Sequence, residues 1–226
     1  SGAGNGYGGT IVRLWNSSSG IRFGTEANPR CTRITLQNFK IVSRFAADRT
    51  TYMIDAMRQV DAPDEGEAFM CNFYDLSFGD IAYEDAGNQM NGFRIFGTAN
   101  NIRGMRLLRM DKEVGDPNNT GIGIYDKGAN RYTDTQCETA ASIVLDTSRS
   151  KFTHTHMERS ELLLRNSSYC KFDGGHLIDG SIDVDEKSNL NIFCDITGAN
   201  VDLFDRGLFN QYDNVQTRGS EHGVYK

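Results

Sequence analysis

Short stretches in which apolar and polar residues alternate run through this chain, and from Thr120 onward they return at a fixed interval. Set in lines of about twenty residues, Ile122, Ser142, Leu162 and Ile182 share one column, and Ile124, Val144, Leu164 and Val184 another. Tyr132, Phe152, Phe172, Ile192 and Tyr212 form a third column; Cys137, Met157, Leu177 and Thr197 form a fourth. Ser148, Ser168 and Ser188 repeat as well, and Ser-Lys-Phe at 150–152 returns as Cys-Lys-Phe at 170–172. Each line carries two strand-like stretches, such as SIVLD (142–146) with KFTHTHM (151–157), and SIDVD (181–185) with NIFCDIT (191–197). Alternation over four to eight residues marks a strand with one buried face. Strands this short cannot bury a face alone, but stacked on copies of themselves at a spacing of ~4.8 Å they can. The pattern predicts Phe152, Phe172 and Ile192 in one buried column, with Ile182 and Val184 inside on another strand.

The first half follows the pattern more loosely. CTRITLQNFKIV (31–42) aligns with FMCNFYDLSFGDI (69–81), which sets Leu36 opposite Phe73, Asn38 opposite Asp75 and Phe39 opposite Leu76. NNIRGMRLLRM (100–110) continues it. The longer spacing between the first two segments predicts an inserted loop within 55–68, and DKEVGDPNNT (111–120) reads as a second, polar loop. A weakly patterned stretch at 45–57 is compatible with a helix. The Gly-rich start, 1–10, reads as flexible turn sequence; it lacks the preceding strand and following helix that a phosphate-binding loop needs. One solenoid domain over 1–226 is the expectation. Its opening Ser1-Gly2 suggests a piece of a longer protein.

Composition narrows the function classes. The net charge of −6 argues against a polybasic nucleic-acid or membrane-surface binder. No apolar run reaches the ~18–20 residues of a membrane span, so no membrane insertion is expected. With 24 Gly and only 3 Pro, the chain has many bends and few rigid ones. The five cysteines, at 31, 71, 137, 170 and 194, lack metal-ligand spacing and read as buried free thiols.

Repeated coils of about twenty residues with two or three strands each describe a parallel β-helix. On columns such as Phe152/Phe172/Ile192 and the motif-poor coils rich in Ser, Asn and Cys, the chain resembles the right-handed β-helices of phage tail spikes and, more distantly, the pectate-lyase-like family. The resemblance spans roughly residues 9–216 and is architectural. It implies an all-β, right-handed parallel β-helix on the virion tail, forming a homotrimer that binds and often cleaves bacterial surface polysaccharide. A free-standing polysaccharide lyase or hydrolase and a non-catalytic structural β-helix stand as the alternatives.

Glycan cleavage by hydrolysis needs paired carboxylates, ~5–9.5 Å apart according to stereochemical outcome. Between inward Ile182 and Val184, Asp183 must face out, and Asp202, nineteen residues on, is expected to stack near it. Arg165 and Asp185, twenty apart, are expected to pair beside them. Asp173 faces out on the other strand after inward Phe172. Inward Met157 and Leu177 turn His156 and His176 outward, one coil apart with Gln136 in the same column; two such imidazoles can share a proton or hold an anionic sugar. Tyr74, Tyr125, Phe193 and Phe204 are read as outward aromatics for sugar stacking or subunit contact. Asp183, Asp202, Asp173 and His176 are thus the catalytic candidates, and His156, Arg165, Asp185 and Tyr74 the substrate-binding ones. DVDEKS (183–188) is acidic but lacks the ligand placement of a calcium loop, and neither a metal nor a cofactor is expected. Outward Leu163, Phe193 and Phe204, and an end at SEHGVYK without an evident cap, also point to a trimer that covers apolar surface.

Overall fold

The computed structural model describes residues 10–14, 20–23, 30–43, 52–56, 67–79, 91–108, 121–138 and 141–216. These contain eighteen strands and no helix. The strands pair in parallel, each with the equivalent strand one coil away, and all but two of them join a single winding sheet. This is an all-β parallel β-helix.

Three faces build each coil. Tyr52–Ala56, Asn91–Ile95, Gly121–Asp126, Ala141–Leu145 and Glu161–Leu164 stack on the first, followed by 181–184 and 201–205. The second and third faces are the two halves of bent strands such as Arg131–Glu138 and Lys151–Glu158. The bend is a left-handed residue at the same place in every coil: Asn38, Asp75, Gly104, Asp134, His154, Gly174, Asp195 and Asn214 all have φ between 51° and 72°. Asn, Asp, His and Gly are the residues that tolerate this region best. That composition is why the sequence turns a corner there without breaking its ladder.

The core is a set of inward columns. Ile54, Phe93, Ile124, Ile143, Leu162, Ile182 and Leu203 follow one another on the first face, all buried. On the second, Tyr132, Phe152, Phe172, Phe193 and Tyr212 stack face to face, with ring centroids 4.2, 5.0, 5.1 and 4.9 Å apart. On the third, Ile41, Phe78, Leu107, Cys137, Met157 and Leu177 are in register. Burial pushes the Cys137 and Cys170 thiols upward, so these cysteines act as small apolar fillers.

Several expected positions shift. Phe193, not Ile192, completes the aromatic column, and Ile192 is exposed. Gly198 rather than Thr197 follows Leu177, and Asn189 rather than Ser188 bridges Ser168. One cause explains all three: the corner after Val184 is one residue longer than the corner after Leu164, because a turn at Glu186–Lys187 is inserted before Asn189. On the first face a bulge between Ile122 and Ile124 sets Ile124 beside Ile143, and Val144 lies beside Leu163 rather than Leu164. No helix covers 52–56, which is a strand. The expected loop at 55–68 is narrower, since residues 55–56 and 67–68 are in strands. Residues 1–9, 57–66 and 111–120 lie outside the described set. Leu36/Phe73 and Phe39/Leu76 pair as expected.

Candidate functional site

Outward residues of the first face form the best-defined site. Leu163, Asp183 and Phe204 share one register column, one coil apart. Asp183 stands outward because Ile182 and Val184 on either side are fully buried. Two guanidinium groups hold its carboxylate: Arg165 Nη2 donates to Oδ2 at 2.8 Å, and Arg206 Nη2 donates to Oδ1 at 2.8 Å. Arg165 is itself anchored, with Nη1 donating to the carbonyls of Leu164 and Asp183, each at 3.1 Å. Asp183, Phe204, Asp205 and Arg206 line a cleft of about 390 Å³. Phe204 keeps 39% of its surface exposed there. Asp205 is fixed from below, its Oδ1 accepting from the Gly207 N–H at 2.9 Å and Asn210 Nδ2 at 3.0 Å.

The cleft thus carries an aromatic ring and two carboxylates on stacked strands, and a guanidinium with donors to spare just beyond them. An aromatic face packs on the C–H surface of a sugar, while carboxylate and guanidinium groups bond its hydroxyls. Phe204 was legible as an outward aromatic. Asp205 and Arg206 were not, because their place in the cleft depends on the coil-to-coil offset beyond the longer corner.

The other candidates fall elsewhere. Asp202 lies beside Ser181, two residues along from the partner of Asp183, so the two carboxylates are not stacked. Asp185 does not pair with Arg165. Its carboxylate instead caps the corner, accepting from the N–H groups of Asn166 and Lys187 and from the Ser188 hydroxyl at 2.6 Å. Partial burial works to raise its pKa, but these donors hold it below the usual carboxylate value. Asp173, on the second face, sits 2.9 Å from Lys171 Nζ and 3.9 Å from Lys151 Nζ; the Lys171 hydrogen bond leads in lowering its pKa. Tyr74 shares that outward column four coils away, about 19 Å at the usual strand spacing, and its hydroxyl donates to Asn72 Oδ1 at 3.0 Å.

His156 and His176 stack on the third face as expected, with ring centroids 5.7 Å apart and planes 15° from parallel, and Gln136 continues their column. The Thr197 hydroxyl donates to the Gly175 carbonyl at 3.2 Å and lies 3.0 Å from His176 Nδ1. The candidates therefore occupy three different faces, and they meet only in two separate pairs, Asp183 with Arg165 and His156 with His176.

Among the described residues no three His, Cys, Asp or Glu side chains converge as metal ligands. Asp183 and Asp185, the core of the acidic run, direct their oxygens to protein donors. No family model matches the chain, and the comparison with curated proteins returns no match.

Proposed function

We propose that this chain is the glycan-recognising β-helix of a phage tail spike, acting at the bacterial surface. The observation that carries the reading is the cleft of Asp183, Phe204, Asp205 and Arg206, whose mixture of ring, carboxylates and guanidinium suits a sugar ring better than a flat apolar partner. Parallel β-helix architecture supports it only by analogy, since folds host many functions. Depolymerisation is the enzymatic extension of this reading. Asp183 would supply its outward carboxylate; Asp205 lines the same cleft but is the register partner of inward Val184 and holds the corner through Gly207 and Asn210.

A homotrimer belongs to the same proposal. Phe193 contributes nothing to it, being fully buried. Exposed apolar side chains instead gather at the corner before the second face, where Tyr169, Leu190, Leu208 and Phe209 lie on successive coils.

Titration with a panel of bacterial capsule and lipopolysaccharide oligosaccharides tests the binding. Phe204→Ala is expected to weaken it about tenfold or more while leaving the fold intact, since the ring is already well exposed. Polysaccharide chain length before and after incubation tests cleavage. Asp183→Asn is expected to abolish shortening; unchanged shortening would move the chemistry elsewhere. Absence of binding to every glycan would overturn the reading.

A further inference from the structure

The second face carries a charge pattern that the cleft does not use. Arg131, Lys151 and Lys171 occupy one outward column on three successive coils, in direct register. Parallel pairing sets their Cα atoms about 4.8 Å apart. Arg149 stands two residues before Lys151 at the exposed corner, and Arg103 lies beside Thr133 in the next column. Three carboxylates answer these five cations, Asp195 acting on Lys171 from the next coil. Asp173 bonds Lys171 and approaches Lys151, and Asp134 lies 3.8 Å from Arg103 Nε while also contacting His154. Arg131 and Arg149 make no ion pair with any described residue. A stripe with an excess of two positive charges thus crosses a protein whose net charge is −6.

Like charges directly opposite each other in a sheet repel, and any polar residue would satisfy an outward position. A ligand with negative charges repeating along its length would relieve that repulsion across all three coils. Thr133 and Thr153, outward in the neighbouring column, put hydroxyls beside the cations. Ile192 and Gln211 continue the charged column without charge, which limits the stripe to a few ligand units.

We infer that Arg131, Lys151 and Lys171, with Arg149, form a second glycan-binding surface selective for an acidic linear polysaccharide. This rests on the glycan reading above and assigns the charge class of the polymer. Nucleic acid fits less well: the stripe is narrow, and the remainder of the molecule is acidic.

Alginate, a linear polyuronate, serves as probe, with neutral dextran and single-stranded DNA as comparators. Each is titrated against the full chain at low and moderate salt. Alginate is expected to bind and dextran not to bind at this surface, with affinity falling as salt rises. Lys151→Gln with Lys171→Gln should weaken alginate binding about tenfold or more. Arg131→Gln alone should do so to a smaller extent, and both variants should keep the parent melting temperature because these side chains are exposed. Phe204→Ala separates the two proposals. If that variant loses glycan binding while the lysine variant keeps it, the stripe is not a glycan surface and the cleft reading stands. If no glycan binds either protein, both fall. DNA binding as tight as alginate binding would also overturn the assignment.

Discussion

Asp126 is the residue whose chemistry is most out of place. It lies in an inward column, between Ile95 and Leu145, and is fully buried. Its carboxylate accepts from the Gly128 N–H at 3.0 Å, Asn130 Nδ2 at 2.8 Å and the Ser150 hydroxyl at 2.6 Å. Asn130 and Ser150 belong in turn to an internal polar column: Asn100 Nδ2 donates to Asn130 Oδ1 at 2.8 Å, and the Asn130 N–H to Ser150 Oγ at 3.1 Å. Burial still outweighs these donors and pushes the Asp126 pKa up to about 7. The unfolded chain ionises near the ordinary value of 3.8, so between roughly pH 4 and 7 the unfolded state binds fewer protons than the folded one. Stability from this group therefore falls as pH rises through that window. Asp126→Asn removes the titration, and its stability relative to the parent is expected to climb from pH 4 to pH 8 by on the order of a few kcal/mol. Urea melts at the two pH values measure it; a difference independent of pH would show that Asp126 ionises as freely as in the unfolded chain. Alternation in GIGIYD does not place Asp126, because the bulge between Ile122 and Ile124 breaks its phase. Its partners were not legible, because Ser150 comes from the next coil.

At the scale of the element, the corner after Val184 decides the register of everything beyond it. Equal spacing holds from coil to coil before it, where inward Phe152 and Phe172, and Met157 and Leu177, fall twenty residues apart in register and can be read directly. The corner DEKSN (185–189) has no apolar marker to reveal its extra residue, and that single insertion exchanges Ile192 and Phe193 between solvent and core. A one-residue slip turns every side chain of a strand over. Substitution pairs test the register: Phe193→Asp should cost several kcal/mol by burying an unpaired charge, whereas Ile192→Asp should change stability by less than about 1 kcal/mol. Equal costs would contradict the assignment. A second backbone feature was invisible in the sequence altogether. Arg149, Tyr169, Leu190 and Phe209 hold φ between 56° and 70° at one corner, although bulky side chains are strained there. Phe209, 80% exposed, gains little packing in return. Phe209→Asn is expected to raise the stability of the isolated chain by up to about 1 kcal/mol in a chemical melt. It should also weaken self-association if that corner is a subunit contact.

For the whole molecule, light scattering tests assembly. The proposed trimer predicts a mass three times 25.2 kDa, reduced in Phe209→Asn; a monomer at high concentration would contradict it. Coil architecture and its core columns followed from local alternation and interval, but the site did not. Asp183 was legible because it lies between two inward residues of its own strand, whereas Arg165 and Arg206 stand at corners beyond their strands and reach it from 18 and 23 residues away. Sites on a solenoid surface are composed across coils, so small offsets at the corners decide which side chains meet. Crystals of the chain soaked with an oligosaccharide identified in the binding panel probe that composition directly. The account predicts a sugar ring lying over Phe204 with hydroxyls in hydrogen-bond reach of Asp183, Asp205 or Arg206. A sugar bound only elsewhere, or an empty cleft at saturating concentration, would contradict it.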